Sequence, residues 1–286
     1  MVKKAVILCG GMATRFLPLS KSIPKEMLPV LDKPILQILV EQLKKAGIED
    51  ILVIVGRNKE SIERHFTNNI ELEQHLIKNN KAELINVANS PNTFIHYLVQ
   101  DAPNGTGHCI NLAKTFTGND PFAVLFGDEL MLSDNENIIE QLVDTFNTYG
   151  KTVISTQTCP MTEVYKYGII DGEKITDDVM KVNHIVEKPK VEEAPSNVCY
   201  LGTGILTPDI YDKIALLPRT EKELQIVDAY NLLAKEDKVI TRNIDGKRLD
   251  MGNPFGFVVA NIECALRSEY AEEMKKYIKE LNDRLD

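Results

Sequence analysis

The stretch Cys9–Pro34, CGGMATRFLPLSKSIPKEMLPVLDKP, gathers the residue types that hold phosphate. Gly10 and Gly11 let backbone amides come close to an anion. Arg15, Lys21 and Lys25 add side-chain charge, and Pro18, Pro24, Pro29 and Pro34 stiffen what would otherwise be an unusually long loose connection. The spacing matches neither the dinucleotide fingerprint G-x-G-x-x-G nor the G-x-x-x-x-G-K-[ST] phosphate loop. Two further residues stand where apolar runs end. Asp128 follows Phe122–Phe126 and Gly127, and its carboxylate suits a hard cation such as Mg²⁺, which takes one or two carboxylates and keeps several waters. Gln100 closes Phe94–Val99, and its amide offers a donor and an acceptor to the edge of a pyrimidine.

Such residues need elements to carry them. Ala5–Cys9, Ile51–Val55, Phe94–Val99, Phe122–Phe126 and Thr152–Thr156 read as buried strands. Leu36, Leu39, Val40 and Leu43 recur at helical spacing, with Asp32 as the expected N-cap, Pro34 in the first turn and Gly47 past the end. Further helices are expected near 59–66, 70–79, 107–115 and 136–149. This alternation predicts a mostly parallel α/β sheet covered on both faces, with the Cys9–Pro34 loop at the carboxyl ends of the strands, where open sheets bind ligands. The second half is less regular: strands near 168–171, 179–187, 198–206 and 239–244, and helices near 208–217 and 223–235. A helix opening at Asn253-Pro254 is expected to bury Phe255, Val258, Val259, Ile262 and Leu266. The charged segment 269–286 carries Met274, Ile278, Leu281 and Leu285 as an apolar stripe.

Composition bounds the function. The 286 residues include 33 Lys plus Arg and 42 Asp plus Glu, a net charge of −9, so neither a nucleic acid nor an anionic membrane is an expected partner for the surface as a whole. Hydrophobic residues make up 43%, an ordinary globular share that excludes a disordered tail protein or a fibre. The five scattered cysteines form no C-x-x-C pair and predict reduced thiols in a cytoplasmic protein.

The loop 9–34 resembles the signature of the sugar-1-phosphate nucleotidyltransferases, G-x-G-T-R-x-x-P…P-K-x-x-x-P. Within them, PKEMLPVLDKP is similar to the bacterial UTP–glucose-1-phosphate uridylyltransferases. The resemblance continues in order through VQDAPNGTGHCI, FAVLFGDE, YGIID, VEKPK with APSN, ELQIVDA and DMGNPFG, nearly the whole chain. It implies a single Rossmann-like domain, 1–267, with a mostly parallel mixed sheet. A nucleotide-binding half would cover about 1–150 and a sugar-phosphate-binding half about 151–267, followed by a C-terminal helix, 268–286.

It also implies transfer of a uridylyl group from UTP to α-D-glucose 1-phosphate with Mg²⁺ as cofactor. The alternatives are dTTP or another hexose 1-phosphate as substrate, or an inactive nucleotide-sugar-binding regulator. Arg15 and the backbone of Gly10, Gly11, Met12, Ala13 and Thr14 would then hold the triphosphate, and Lys25 would neutralise the phosphoryl group under attack. Gln100 and Gly105 would read uracil. Gly168, Glu187, Lys188 and Thr203 would hold the sugar phosphate. Asp250 is the candidate second metal ligand beside Asp128, with loop capping as its other reading. The family often shows two aspartates where this chain has Asp128-Glu129, a glycine where it has Ala13, and G-R-Y where it has Gly202-Thr203-Gly204. Oligomers occur in the family, so the stripe on 268–286 serves either a dimer or tetramer contact or packing on its own domain.

Overall fold

The computed structural model describes residues 1–89, 94–218 and 223–285. Among them run thirteen strands: β1 (Lys4–Cys9), β2 (Pro29–Val30), β3 (Lys33–Pro34), β4 (Asp50–Val55), β5 (Phe94–Val99), β6 (Phe122–Phe126), β7 (Glu129–Leu132), β8 (Thr152–Thr158), β9 (Gly168–Lys174), β10 (Met180–Glu187), β11 (Val198–Leu206), β12 (Val239–Asn243) and β13 (Lys247–Asp250). Nine of these form one sheet in the order β5-β4-β1-β6-β11-β8-β12-β10-β9. Its first-half strands β5, β4, β1 and β6 are parallel; β11 then runs antiparallel to both β6 and β8. The sheet is therefore mixed, and its parallel part is the part that carries the Cys9–Pro34 loop.

Helices cover both faces, as unbroken apolar strands such as Ala5–Cys9 demand. Helix Ile35–Lys45 shows how. Ile35, Leu36, Leu39, Val40 and Leu43 are at most 1% exposed, each contributing ~1.5–3 kcal/mol of burial. Asp32 is not its cap: Pro34 occupies that position, with no side-chain bond, because Lys33–Pro34 is held extended against Pro29–Val30. Helix Ile138–Tyr149 carries a full capping box from Asn137 and Glu140. The region expected as one helix near 107–115 divides into Thr106–Leu112 and Lys114–Thr117.

Three expectations are corrected. Strand β5 is not buried: it pairs only with β4 at the edge of the sheet, leaving Phe94 74% and Val99 54% exposed. Helix Pro254–Ala265 is largely apolar, with only Asn261 and Glu263 polar, so its period does not reveal which face turns in. Ala260 and Ala265 are buried while Phe255, Val258 and Ile262 are exposed. Cys159 and Cys199 form a disulfide with Cα atoms 6.4 Å apart, leaving Cys9, Cys109 and Cys264 free; the strands β8 and β11 that bring them together are far apart in sequence.

The last helix, Ala271–Leu285, leaves Tyr277 and Ile278 exposed; the side chain of Leu285, and Asp286, lie outside the described residues. No helix among the described residues is long and apolar enough to cross a membrane.

Candidate active site

Strand β1 ends at Cys9, and the chain leaves it through Gly10–Ala13 into three short 3-10 turns, Thr14–Phe16, Leu19–Lys21 and Lys25–Met27. Ala13 stands at φ 52, ψ 39, in the left-handed region that costs an alanine ~1–2 kcal/mol. The third turn sets Lys25 against the end of β6: its Nζ donates to Asp128 Oδ2 at 2.6 Å, both side chains less than a fifth exposed. A methyl group added to Gly11 would stand 3.5 Å from that ammonium, so the loop backbone and Lys25 address the same space. Burial alone would lower the Lys25 pKa; the Asp128 charge and hydrogen bond outweigh it and raise the net value, keeping the side chain cationic.

Beneath Lys25, Glu26 is fully buried and accepts two bonds from Lys59 Nζ, at 2.8 and 2.9 Å; the same ammonium reaches the carbonyl of Cys9. This ion pair ties the turn to the end of β1. Burial raises the Glu26 pKa even against Lys59 and Lys25.

Asp128 and Asp250 arrive on two antiparallel strands, because Glu129–Leu132 pairs with Lys247–Asp250. Both carboxylates close over Gly252: a β-carbon there would lie 2.8 Å from Asp128 Oδ2 and 3.0 Å from Asp250 Oδ1. Asp250 Oδ1 also accepts the Gly252 N–H at 2.8 Å, so it caps the loop while standing beside Asp128. Two carboxylates side by side fit a hard cation that completes its shell with water and phosphate oxygens. Among the described residues no group of three or more His, Cys, Asp or Glu could hold a metal alone. Glu129, largely shielded from solvent and paired across the ribbon with Asp250, is held by two bonds from Arg248, Nε at 3.2 Å and Nη2 at 2.5 Å. It braces the ribbon instead of extending the carboxylate pair.

A cavity of about 210 Å³ unites Gly10, Gly11, Lys25, Gln100, Gly105 and Asp128. Gln100 is only 5% exposed. Gly105 has φ 91, and any side chain would collide with the backbone of Leu224, which accepts the Gly107 N–H at 2.8 Å. Met12, Thr14 and Arg15 are exposed and do not line this cavity.

Gly168, Glu187, Lys188 and Thr203 do not line it either. Glu187 and Gly168 face each other across the β9–β10 pair. Lys188 follows at φ 48 with its N–H bonded to the Tyr167 carbonyl; its ammonium is 3.5 Å from Glu187 and its side chain 63% exposed. Thr203 is buried at 4% inside β11, its carbonyl accepting from Ser155.

The residues that pattern reading did not single out are partners: Glu26 and Lys59, Arg248, His108 and Cys109, and Gly252. Glu26 sits inside the quoted PKEM run and Gly252 inside DMGNPFG, so proximity to a motif was the only signal for them.

Residues 4–265 match the nucleotidyl transferase family model. The chain belongs to this family. It is 42% identical over 290 residues to UTP–glucose-1-phosphate uridylyltransferase 1 of Staphylococcus saprophyticus, covering 98% of this chain and 99% of that one. Its identity to the UTP–glucose-1-phosphate uridylyltransferase of Staphylococcus epidermidis is 41% over 285 residues, with 98% and 99% covered. Among solved structures, the UTP-bound UGPase from Acinetobacter baumannii superposes with a TM-score of 0.91 at 33% identity, over 98% of this chain and 100% of that one. A UDP-glucose pyrophosphorylase complexed with UDP-glucose gives 0.82 at 35% identity, over 94% and 100%. The expected α/β nucleotidyltransferase fold is the fold found.

Proposed function

We propose that this chain transfers the uridylyl group of UTP to α-D-glucose 1-phosphate, giving UDP-glucose and pyrophosphate. One observation supports this above the others: Lys25 and Asp128 line one cavity with the Gly10–Gly11 backbone and the buried Gln100, and Asp250 stands beside Asp128 over Gly252. That arrangement suits the charge of a nucleoside triphosphate at one end and a pyrimidine at the other. The names and structures of the relatives, acting on UTP and glucose 1-phosphate, agree with it.

The chemistry asks for no protein nucleophile. A phosphate oxygen of the sugar 1-phosphate attacks the α-phosphorus of UTP in line, and pyrophosphate departs with the electron pair of the broken P–O bond. Lys25 exchanges Asp128 for the phosphoryl oxygens, offsetting the charge that builds there. Arg15 and the 10–14 amides hold the leaving phosphates. Gln100 and Gly105 receive uracil. Lys188 meets the sugar phosphate, and Glu187 accepts from sugar hydroxyls beside Gly168. Asp128 and Asp250 hold Mg²⁺, which when bound supplies positive charge to the triphosphate oxygens. On this reading the nucleotide half, about 1–150, and the sugar-phosphate half, about 151–267, share one sheet, and Asp250 reaches back across the division through its pairing with Glu129.

The test is pyrophosphate release across a panel of UTP, dTTP, CTP and ATP against several hexose 1-phosphates, with and without Mg²⁺. Release is expected to be fastest with UTP and glucose 1-phosphate and to require both. Release that ignores the sugar phosphate, or a clear preference for dTTP, would overturn the reading.

A further inference from the structure

Arg248 makes two contacts that belong to different halves of the site. Its Nε and Nη2 donate to Glu129, and its guanidinium carbon stands over the Tyr167 ring, 5.5 Å from the centroid and within cation–π range. The Arg248 and Glu129 side chains are each only 15% exposed. Glu129 follows Asp128 and pairs with Asp250 across the ribbon, so a hold on Glu129 steadies the strand positions of both carboxylates. Tyr167 precedes Gly168, and its carbonyl accepts the Lys188 N–H at 2.9 Å. That bond helps to fix the left-handed backbone of Lys188, at φ 48, whose side chain is exposed. The ribbon β7–β13 is a two-stranded sheet of its own, and no strand pairing among the described residues joins it to β9 or β10. Side chains must therefore set its distance from the Lys188 turn. Gln157 Nε2 ties the ribbon at its far end, on the Gly246 carbonyl, whereas Arg248 ties it two residues from Asp250.

We propose that Arg248 is a positioning residue, a strut that sets the distance between the Asp128–Asp250 carboxylates and the Lys188 turn and so brings the two substrates into line. The proposal rests on the uridylyl-transfer reading above. A planar guanidinium can fork onto a carboxylate and lie against a ring at once, which the point charge of an ammonium cannot do. Without the strut each substrate keeps its own contacts: the triphosphate still meets the loop backbone and Lys25, and the sugar phosphate still meets Lys188 beside Glu187. What is lost is the register between them. In-line attack depends on that register, and a misplacement of about 1 Å can cost ~100-fold in rate. Loss of the strut therefore falls on turnover and spares both affinities. A residue that served only to neutralise Glu129 would act on stability instead.

The test compares Tyr167→Leu, which removes the ring and leaves the Arg248–Glu129 pair in place, with Tyr167→Phe, which keeps the ring. Arg248→Met combined with Glu129→Leu removes the whole strut without leaving a buried carboxylate alone. On the full chain, kcat and the KM for glucose 1-phosphate come from steady-state kinetics with UTP and Mg²⁺. The affinity for UTP with Mg²⁺ comes from calorimetry without sugar phosphate, where no transfer occurs. Tyr167→Leu and the combined variant are expected to lower kcat by about tenfold or more. The UTP affinity and the KM for glucose 1-phosphate should stay within about threefold, and Tyr167→Phe within about twofold of wild type throughout. Should the combined variant fail to fold, the two Tyr167 variants decide. A variant that melts lower but keeps the wild-type kcat per folded chain overturns the strut. So does a loss of kcat that Tyr167→Phe shares, or a change in one substrate's constant with kcat intact, which would place Arg248 in that half alone. A wild-type chain that releases no pyrophosphate from UTP and glucose 1-phosphate overturns the uridylyl-transfer reading, and the strut with it.

Discussion

The two halves of the site are built differently. Around Lys25 the charges are already paired: Lys25 with Asp128, and beneath them Glu26 with Lys59, fully or nearly buried. Around Lys188 the pairing is looser and more exposed: its ammonium lies 3.5 Å from its neighbour Glu187, and its side chain stands mostly in water. The Lys25 side thus holds its geometry by itself, and on the proposed reading a ligand must displace an internal partner to use Lys25. The Lys188 side presents charge that on the proposed reading meets a phosphate, placed by its backbone and a loose contact with Glu187. Preorganised groups act more strongly on a developing charge, because they need not reorient during the reaction. Substitutions in the first half should therefore damage folding or turnover, and those in the second should damage substrate capture.

The largest effect is expected at the Glu129–Arg248 pair, which braces the ribbon that carries Asp250. Arg248→Met leaves Glu129 in the interior without its partner, a change that costs ~3–5 kcal/mol, whereas Arg248→Met with Glu129→Leu should recover most of it. The sign with pH follows from Glu129, whose pKa burial raises in spite of Arg248. A raised folded-state value contributes stability that is present below the ordinary glutamate range, near ~4.3, and lost as pH rises through the folded-state value. Without Arg248 that value rises further. The deficit of Arg248→Met, read from urea melts, should grow from pH 5 to pH 8. A deficit that shrank over that interval would mean that Glu129 is not the group left exposed to burial.

Next comes Asp128→Asn, expected to lower turnover at least ~100-fold, or ~2.7 kcal/mol of transition-state stabilisation, with little change in melting. The variant keeps the shape over Gly252 but removes the charge that both Lys25 and a cation would meet. Titration of Mg²⁺ at saturating substrates is the check, and near-normal turnover at low Mg²⁺ would move the cation elsewhere. Lys188→Ala should be smaller and different in kind. The KM for glucose 1-phosphate should rise ~10-fold with the KM for UTP unchanged, since the side chain is exposed and adds nothing to the fold. Lys25→Ala should instead act mainly on kcat. If both acted on the UTP KM alone, the two halves would not differ as described.

These contrasts also mark what the sequence can carry. The Cys9–Pro34 loop could be singled out because its pattern is local: glycines, basic residues and prolines within one connection, read without knowing what folds against them. Asp128 and Gln100 were legible because each ends an apolar run, and the carboxyl end of a parallel strand is where a side chain meets a ligand. The partners were not legible. Glu26 meets Lys59 and Glu129 meets Arg248 across 33 and 119 residues, and no period in the chain links them. Helix Pro254–Ala265 shows the limit of periodicity itself: apolar except for Asn261 and Glu263, it gives little sign of which side is covered. Asp32 shows the limit of local signals, since a two-residue strand pairing outweighed a good capping residue.

The smallest effect concerns Ala13, where the chain departs from its own motif. At φ 52 and ψ 39 the residue is left-handed, so the strain is real and sits directly before Thr14 and Arg15. Relief of that strain by Ala13→Gly is worth ~1–2 kcal/mol in the folded state. The added freedom of glycine in the unfolded chain takes back ~0.4–1 kcal/mol. The balance is a net gain of roughly 0.5–1 kcal/mol, a rise in Tm of about 1–4 °C for a chain of this size. Loss of the methyl group also lets the loop amides approach the triphosphate, so the KM for UTP should fall several-fold while that for glucose 1-phosphate stays put. A melting scan and kinetics in both substrates separate the two consequences. A higher Tm with an unchanged UTP KM would show that Ala13 strains the fold without touching the nucleotide. A lower Tm would show that the loop relaxes to negative φ in solution, and the strained conformation would have to be given up.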